Sequence, residues 1–112
     1  MQPDDEVYVG HMLDVVGKVV AKTERITREE FDRDENLRLA LAHLLQTIGE
    51  AARRVSRELQ AQHPEIPWAR IAGFRNRIVH AYLDVDPDLI WSIIEEEVPP
   101  LVHMADSELK PT

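Results

Sequence analysis

Apolar side chains recur every three to four residues along most of the sequence, which is the pattern of helices with one buried face. The first run spans residues 5 to 23 and predicts a helix whose stripe contains Val9, Met12, Leu13, Val15, Val16, Val19 and Val20. The clearest run follows Asp34, a predicted cap, and extends to about Gln62. Between these two runs, Thr27 and Glu30 have capping-box spacing, which predicts a short helical turn before Phe31.

Prolines divide the second half of the chain. The segment from His63 to Pro67 ends the second helix, and a third helix is predicted from Trp68 to Tyr82. A fourth helix starts at Asp86 and Pro87 and is expected to stop at Pro99 and Pro100, with a short tail helix over residues 101–105. No strand-like alternation or repeat is present. The pattern therefore predicts one all-α domain, residues 1–112, built as an antiparallel bundle of four to five helices.

The third helix concentrates the chemically useful side chains. At about 100° per residue, Asn76 and His80 share a polar stripe with Arg77. Arg75 falls about 140° away from His80, on the apolar side beside Ile71 and Ile78. An arginine in that position requires a paired acid, a path to solvent or a polar cleft between subunits.

The charge distribution adds a second feature to this helix. The formal net charge is −8, which argues against a protein that grips nucleic acid over a broad surface. Residues 61–82, however, carry three Lys or Arg against one acid, whereas residues 83–112 carry one against eight. The third helix is therefore a basic island that can attract a phosphate locally, although chance placement of arginines explains the counts equally well.

Composition narrows the chemistry further. The chain has no cysteine, which excludes disulfides and thiolate sites and fits a reducing compartment. The acidic N-terminal stretch lacks the features of a secretory signal, and no apolar run is long enough for a membrane span, so a soluble cytoplasmic protein is expected. The five histidines do not show metal-ligand spacing, and no cofactor motif is present. We therefore expect neither a metal nor a cofactor.

Several ordered blocks make the sequence resemble the HepT-like ribonuclease toxins of the HEPN superfamily over nearly its whole length. The blocks are Ile48-Gly49-Glu50-Ala51, residues 63–68, Arg75-Asn76-Arg77-Ile78-Val79-His80-Ala81-Tyr82, Val85-Asp86-Pro87 and Trp91. The Arg-x4-His-x-Tyr pattern alone is weakly specific. The blocks together are far more specific, and the motif shows no departure from the family pattern.

The resemblance implies a HEPN-like symmetric dimer in which two copies of the motif line a cleft that cleaves RNA without a metal. Carried over by position, Arg75, Asn76 and His80 are active-site residues. Apart from the resemblance, the positive charges of Arg77 and Arg70 make them candidates for phosphate-binding support. The resemblance also implies a partner, a minimal nucleotidyltransferase antitoxin that silences the toxin by transferring AMP to the motif tyrosine. The acceptor in this chain is then Tyr82.

Each of these residues can also have a purely structural role. Taken alone, His80 is typical of a histidine that the helix dipole favours near a helix C-terminus. Tyr82, Trp68 and Trp91 are expected in the core, and base stacking is a less favoured role for the two tryptophans. Helix spacing predicts that Glu50 pairs at the surface with Arg53 and Arg54, with Arg54 as its main partner. Alternatively, Glu50 anchors Arg75 across the bundle. The rival function is a non-catalytic helical module that binds a nucleotidyltransferase and presents substrate to it.

Overall fold

The computed structural model describes residues 2–83 and 86–104, and the side chains of residues 2–79 and 86–103. Within these ranges every regular element is helical. In chain order these are α1 (Pro3–Thr23), α2 (Arg28–Arg33), α3 (Glu35–Arg54), α4 (Arg57–Gln62), α5 (Trp68–Ala72), α6 (Phe74–Leu83), α7 (Pro87–Ser92), a π-helical segment (Ile93–Glu97) and α8 (Val98–Met104). The predicted all-α bundle is confirmed, although the chain is divided into more and shorter helices than expected.

The helix α3 lies at the centre of the bundle. It packs against α1 along one side and against α5 and α6 along another, and α1 also contacts α8. The predicted stripes of α1 and α3 supply much of the core, including Met12, Val19, Leu41, Leu45 and Ile48, all almost fully buried. Capping also follows the sequence, because Thr27 and Glu30 form a capping box and Asp34 accepts a hydrogen bond from Leu37 N–H.

The expectation that the second helix continues unbroken to Gln62 is wrong. Helix α3 ends at Arg54, Val55 is extended, and Ser56 caps a separate helix, α4. The cause is distant in sequence: the buried carboxylate of Asp5 accepts hydrogen bonds from Ser56 N–H at 2.7 Å and from Ser56 Oγ–H at 2.6 Å. Burial opposes ionisation of Asp5, but the hydrogen bonds from Ser56 and Gln2 outweigh it and hold the Asp5 pKa below its ordinary value.

The third predicted helix is also interrupted. Helix α5 ends at Ala72, and Gly73 has ψ −6°, far from the helical value, before α6 begins at Phe74. The interruption lies against α3 at Gly49, where an added Cβ would stand 3.0 Å from the Ile71 carbonyl oxygen and 3.3 Å from that of Ala72. Only a residue without a side chain allows the two backbones to approach this closely.

Pro99 and Pro100 do not stop the fourth helix, contrary to expectation. They lie in the first turn of α8, which continues directly from the π-helical segment through the helical residue Val98. The preceding π-helical segment pairs Val98 N–H with the Ile93 carbonyl, and this wider spacing relieves the clash that a proline ring makes with the preceding turn. The predicted tail helix is therefore part of α8, and its last predicted residue, Ala105, lies outside the described residues.

We expect Gly49→Ala to lower the free energy of unfolding by about 1–3 kcal/mol, because the added methyl group meets backbone carbonyls that cannot move independently. Gly17→Ala is the matched control. A Cβ at Gly17 meets nothing within 4 Å, so this change should raise the stability by about 0.5–1 kcal/mol through helix propensity alone. Urea unfolding measures both. Equal effects of the two substitutions would contradict the close contact at Gly49.

Candidate active site

Helix α6 presents a polar edge to solvent because its apolar residues point into the bundle. Phe74 and Ile78, one turn apart, are both fully buried. Of the three residues between them, Arg75 and Asn76 are exposed and Arg77 is half-buried, and Val79 is 39% exposed. The helix therefore holds two polar side chains of the motif at the surface while its opposite face is fixed in the core.

The expectation that Arg75 lies on the apolar face is wrong. The Arg75 side chain is 55% exposed, and its Nη1–H group donates to Glu50 Oε1 across the bundle at 3.2 Å. Because Phe74 and Ile78 define the buried direction of α6, Arg75 falls on the flank nearest α3, where a long side chain reaches both an acid and water. Of the explanations offered by the sequence, the paired acid and the path to solvent both apply.

Glu50 also settles a choice that the sequence left open. Its second oxygen, Oε2, accepts from Arg53 Nη2–H at 3.3 Å, so Glu50 joins Arg53 to Arg75. Arg54, the main predicted partner, is directed elsewhere: its guanidinium carbon lies 6.0 Å from the centre of the Tyr8 ring. The predicted surface pairing of Glu50 is therefore confirmed for Arg53 and wrong for Arg54, and the anchor for Arg75 is confirmed as a contact.

A second carboxylate, Glu97 on the π-helical segment, binds the two remaining arginines of this region. Arg77 donates to both Glu97 oxygens at 2.8 and 2.9 Å, and Arg70 donates to Oε1 at 2.7 Å. Arg77 also covers the Phe74 ring at 5.1 Å and donates to the Arg70 carbonyl. This two-point pairing connects α5, α6 and the π-helical segment and fixes the orientation of the motif helix.

The electrostatics of the cluster explain why Glu97 stays ionised although its side chain is only 16% exposed. Burial opposes ionisation, but the hydrogen bonds from Arg77 and Arg70 outweigh burial and lower the Glu97 pKa below its ordinary value. Glu97 was not identified from the sequence, because it lies 20 residues from Arg77 and no local spacing pairs them. Both arginines were instead expected to support phosphate, which stays a prediction.

His80 and Tyr82 lie within α6, but their side chains are outside the described residues. The helix backbone runs without interruption from Phe74 to Leu83, so register alone relates the motif positions. Asn76 and His80 are four residues apart and share a side of the helix, whereas Arg75 and His80 diverge by about 140°. The Val85 position of the family pattern is also outside the described residues.

The two tryptophans are structural in this chain. Trp68 is 7% exposed, and its indole N–H donates to the His63 carbonyl at 3.0 Å. Trp91 is half-buried and packs against Phe31 with ring centres 5.0 Å apart. The core assignment is confirmed for Trp68, and Trp91 belongs to the edge of the same core.

Neither a metal-binding group nor a membrane-spanning helix is found in the part of the chain that the structure describes. No three His, Asp or Glu side chains among the described residues are grouped so that they could hold a metal ion. Across residues 2–83 and 86–104, none of the helices combines the length and apolarity that a membrane crossing needs.

Comparison with known proteins assigns the family. Residues 12–107 match the family described as Ribonuclease HepT-like. A candidate RNase of Methanocaldococcus jannaschii is 31% identical over 96 residues, which cover 86% of this chain and 88% of that protein. A candidate ribonuclease HepT of Thermococcus cleftensis is 30% identical over 101 residues, which cover 90% of this chain and 92% of that protein. A candidate RNase of Caldanaerobacter subterraneus subsp. tengcongensis is 33% identical over 94 residues, covering 84% of each.

The chain therefore belongs to the HepT-like ribonuclease family. No solved structure matches it.

We expect Glu97→Gln to lower the free energy of unfolding at pH 7 by about 1–2 kcal/mol, because the partly buried Arg77 loses its counter-charge. A lowered carboxyl pKa stabilises the fold above the ordinary glutamate value of 4.5, and this contribution disappears as the pH falls through the lower folded value. Wild type and variant should thus converge in acid. Urea unfolding at neutral and acidic pH tests this.

The control for that measurement is Glu29→Gln. Glu29 also binds an arginine, Arg33, but both side chains are more than 70% exposed, so its change should stay within about 0.5 kcal/mol. Equal losses from Glu97→Gln and Glu29→Gln would show that Glu97 is only a surface partner.

Proposed function

We propose that this protein is a metal-independent endoribonuclease and the toxin of a toxin–antitoxin pair, with Arg75, Asn76 and His80 as its catalytic residues. Membership of the HepT-like family supports the reaction class. The observation that carries the proposal for the site is the exposure of Arg75 and Asn76 on a helix whose opposite face is fixed in the core. A cation and an amide held in this way can meet a phosphate without rearrangement of the bundle.

The reaction uses the RNA itself as the nucleophile. The ribose 2′-oxygen attacks the adjacent phosphorus, a base takes the 2′-hydroxyl proton, and the bond to the 5′-oxygen breaks as an acid protonates that oxygen. Histidine titrates at about pH 6.5 and can act as either base or acid. Arg75 and the Asn76 amide then stabilise the negative charge of the phosphorane.

A symmetric dimer completes this site. One chain supplies one motif histidine, whereas separate base and acid roles need two. Arg75 and His80 also diverge by about 140° on their own helix, so a cleft between two subunits lets both reach one phosphate. The exposed apolar side chains of Leu39 and Val79 are suited to such an interface. A strict monomer in sedimentation at micromolar concentration would remove the composite site.

Arg77 and Arg70 are secondary phosphate ligands in this proposal. Arg77 is largely committed to Glu97 through two hydrogen bonds, whereas the Arg70 side chain is 62% exposed and retains donors that face solvent. Their main contribution is to hold α6 in place.

We assign Tyr82 as the site of neutralisation. A minimal nucleotidyltransferase antitoxin would join the tyrosine oxygen to the α-phosphate of ATP, with pyrophosphate as the leaving group. The attached nucleotide adds bulk and negative charge beside a site that must receive an RNA phosphate. Incubation with the partner and ATP should increase the intact mass by whole AMP units. Tyr82→Phe should abolish the increase, and an unchanged increase in that variant would place the acceptor elsewhere.

The test of the catalytic assignment is cleavage of total RNA in EDTA by the purified, unmodified protein. Wild type should cleave, while His80→Ala and Arg75→Ala should each lose at least about a hundredfold in rate, the scale of one acid–base or charge-stabilising group. His11→Ala, which removes an exposed histidine of α1, is the matched control and should cleave normally. Circular dichroism confirms folding of each variant.

The rival function makes the opposite prediction. A module that presents substrate to a nucleotidyltransferase would bind its partner normally and leave RNA intact in every state. No cleavage by unmodified dimeric wild type would favour that module and overturn the ribonuclease assignment.

A further inference from the structure

We propose that Arg53 binds a backbone phosphate of the RNA substrate next to the phosphate that Arg75 contacts, and that Glu50 positions both guanidinium groups for this purpose. The inference rests on the proposed ribonuclease function and extends it, because it assigns an RNA contact on α3 outside the family motif. Arg53, Glu50 and Arg75 are called the Glu50 cluster below.

The geometry of the Glu50 cluster is that of two cations held by one acid. Arg75 approaches Oε1 and Arg53 approaches Oε2, each through a single hydrogen bond, at 3.2 and 3.3 Å. The two guanidinium groups therefore lie on either side of one carboxylate, within reach of neighbouring phosphates along a single RNA strand.

The donors of the cluster are mostly unused. A guanidinium carries five N–H groups. Among the described residues, Arg53 and Arg75 each donate only one hydrogen bond, to Glu50. The side chains of Arg53 and Arg75 are 61% and 55% exposed, whereas Glu50 is 32% exposed. The cations thus face solvent and the acid lies beneath them, so an incoming phosphate meets unpaired donors first.

Charge points to an anion as the ligand. The cluster carries one net positive charge on a chain whose formal net charge is −8. A local positive site on an acidic protein concentrates phosphate at that site while the remaining surface repels the rest of the strand. Because Arg75 belongs to the proposed catalytic residues, the nearest anion of this kind is the RNA backbone that enters the same site.

Other arginines of the described chain show what distinguishes this pair. Arg77 is only 27% exposed, and its Nη1 and Nη2 groups both donate short hydrogen bonds to Glu97, so few of its donors remain for a phosphate. Arg54 lies over the Tyr8 ring. Arg33 is 75% exposed, against 61% for Arg53, and also pairs with one acid of its own helix, but it lies on α2 and that acid, Glu29, is not bound to Arg75. Arg33 is therefore a matched control for Arg53.

The experiment measures binding rather than cleavage, so that it separates from the ribonuclease assignment. The full-length His80→Ala protein in EDTA is titrated onto a short labelled single-stranded RNA at several salt concentrations. Addition of Arg53→Ala should weaken binding several-fold and reduce the slope of log affinity against log salt by about 0.7, the value for one phosphate contact on a single strand. Arg33→Ala should change neither quantity, and Arg53→Lys should restore the slope because it keeps the charge.

The cleavage assay then distinguishes positioning from catalysis. In the protein that retains His80, Arg53→Ala should raise KM several-fold with little change in kcat, because the residue contacts a phosphate that does not react. Equal binding and equal salt slopes for Arg53→Ala and Arg33→Ala would overturn the inference even if the wild type cleaves RNA. Loss of the Arg53 effect together with absence of all cleavage would instead reject the ribonuclease assignment as well.

Discussion

Helices α5 and α6 can cross α3 closely only because residue 49 has no side chain. A Cβ at Gly49 would lie within 3.3 Å of two carbonyl oxygens and of the Phe74 Cβ, so the contact fixes both the interruption at Gly73 and the start of α6. Glu50 follows immediately on α3, and it therefore lies opposite Arg75, the second residue of α6. The close contact of α3 with α5 and α6 and the Glu50–Arg75 ion pair therefore both depend on the glycine at position 49.

The arginines around α6 have two different environments. Glu97, 16% exposed, occupies the fork of Arg77 and joins three elements, which is the arrangement of a structural pair. Glu50 touches Arg53 and Arg75 through one donor each and leaves both cations in water. Sequence alone places Arg70, Arg75 and Arg77 in one basic island and leaves Arg53 outside it. The structure divides them into cations that hold the helix and cations that remain accessible to a ligand.

Local patterns were sufficient for much of the fold. The capping box of Thr27 and Glu30 and the cap at Asp34 act within one helical turn, and both were predicted. The apolar stripes of α1 and α3 follow from spacing within each helix and were also predicted. Two of the errors came from contacts between distant residues. The Asp5 carboxylate accepts hydrogen bonds from Ser56, 51 residues away, where α3 gives way to α4. Gly49 meets the end of α5, where the third helix was expected to continue. The error at Pro99 and Pro100 came instead from the adjacent π-helical segment.

The candidate site shows the same division. The motif of α6 can be named from sequence and lies within the residues that match the family, while the roles of its side chains stay predictions. The helix wheel failed for Arg75 because it treated α5 and α6 as one straight helix and took the apolar face from residues on both sides of Gly73. Glu97 was not predicted as a partner of Arg77 because the two residues are 20 positions apart and no local spacing pairs them.

In the proposed reaction, α6 supports cleavage of an RNA strand through attack by the 2′-hydroxyl of that strand. The most direct measurement compares an RNA in which one cleaved bond has been mapped with the same RNA carrying a single 2′-deoxy substitution at the nucleotide that precedes that bond. We expect this bond to become resistant while neighbouring bonds are still cut, because the attacking oxygen has been removed. Cleavage of the substituted bond at an unchanged rate would contradict attack by the 2′-hydroxyl.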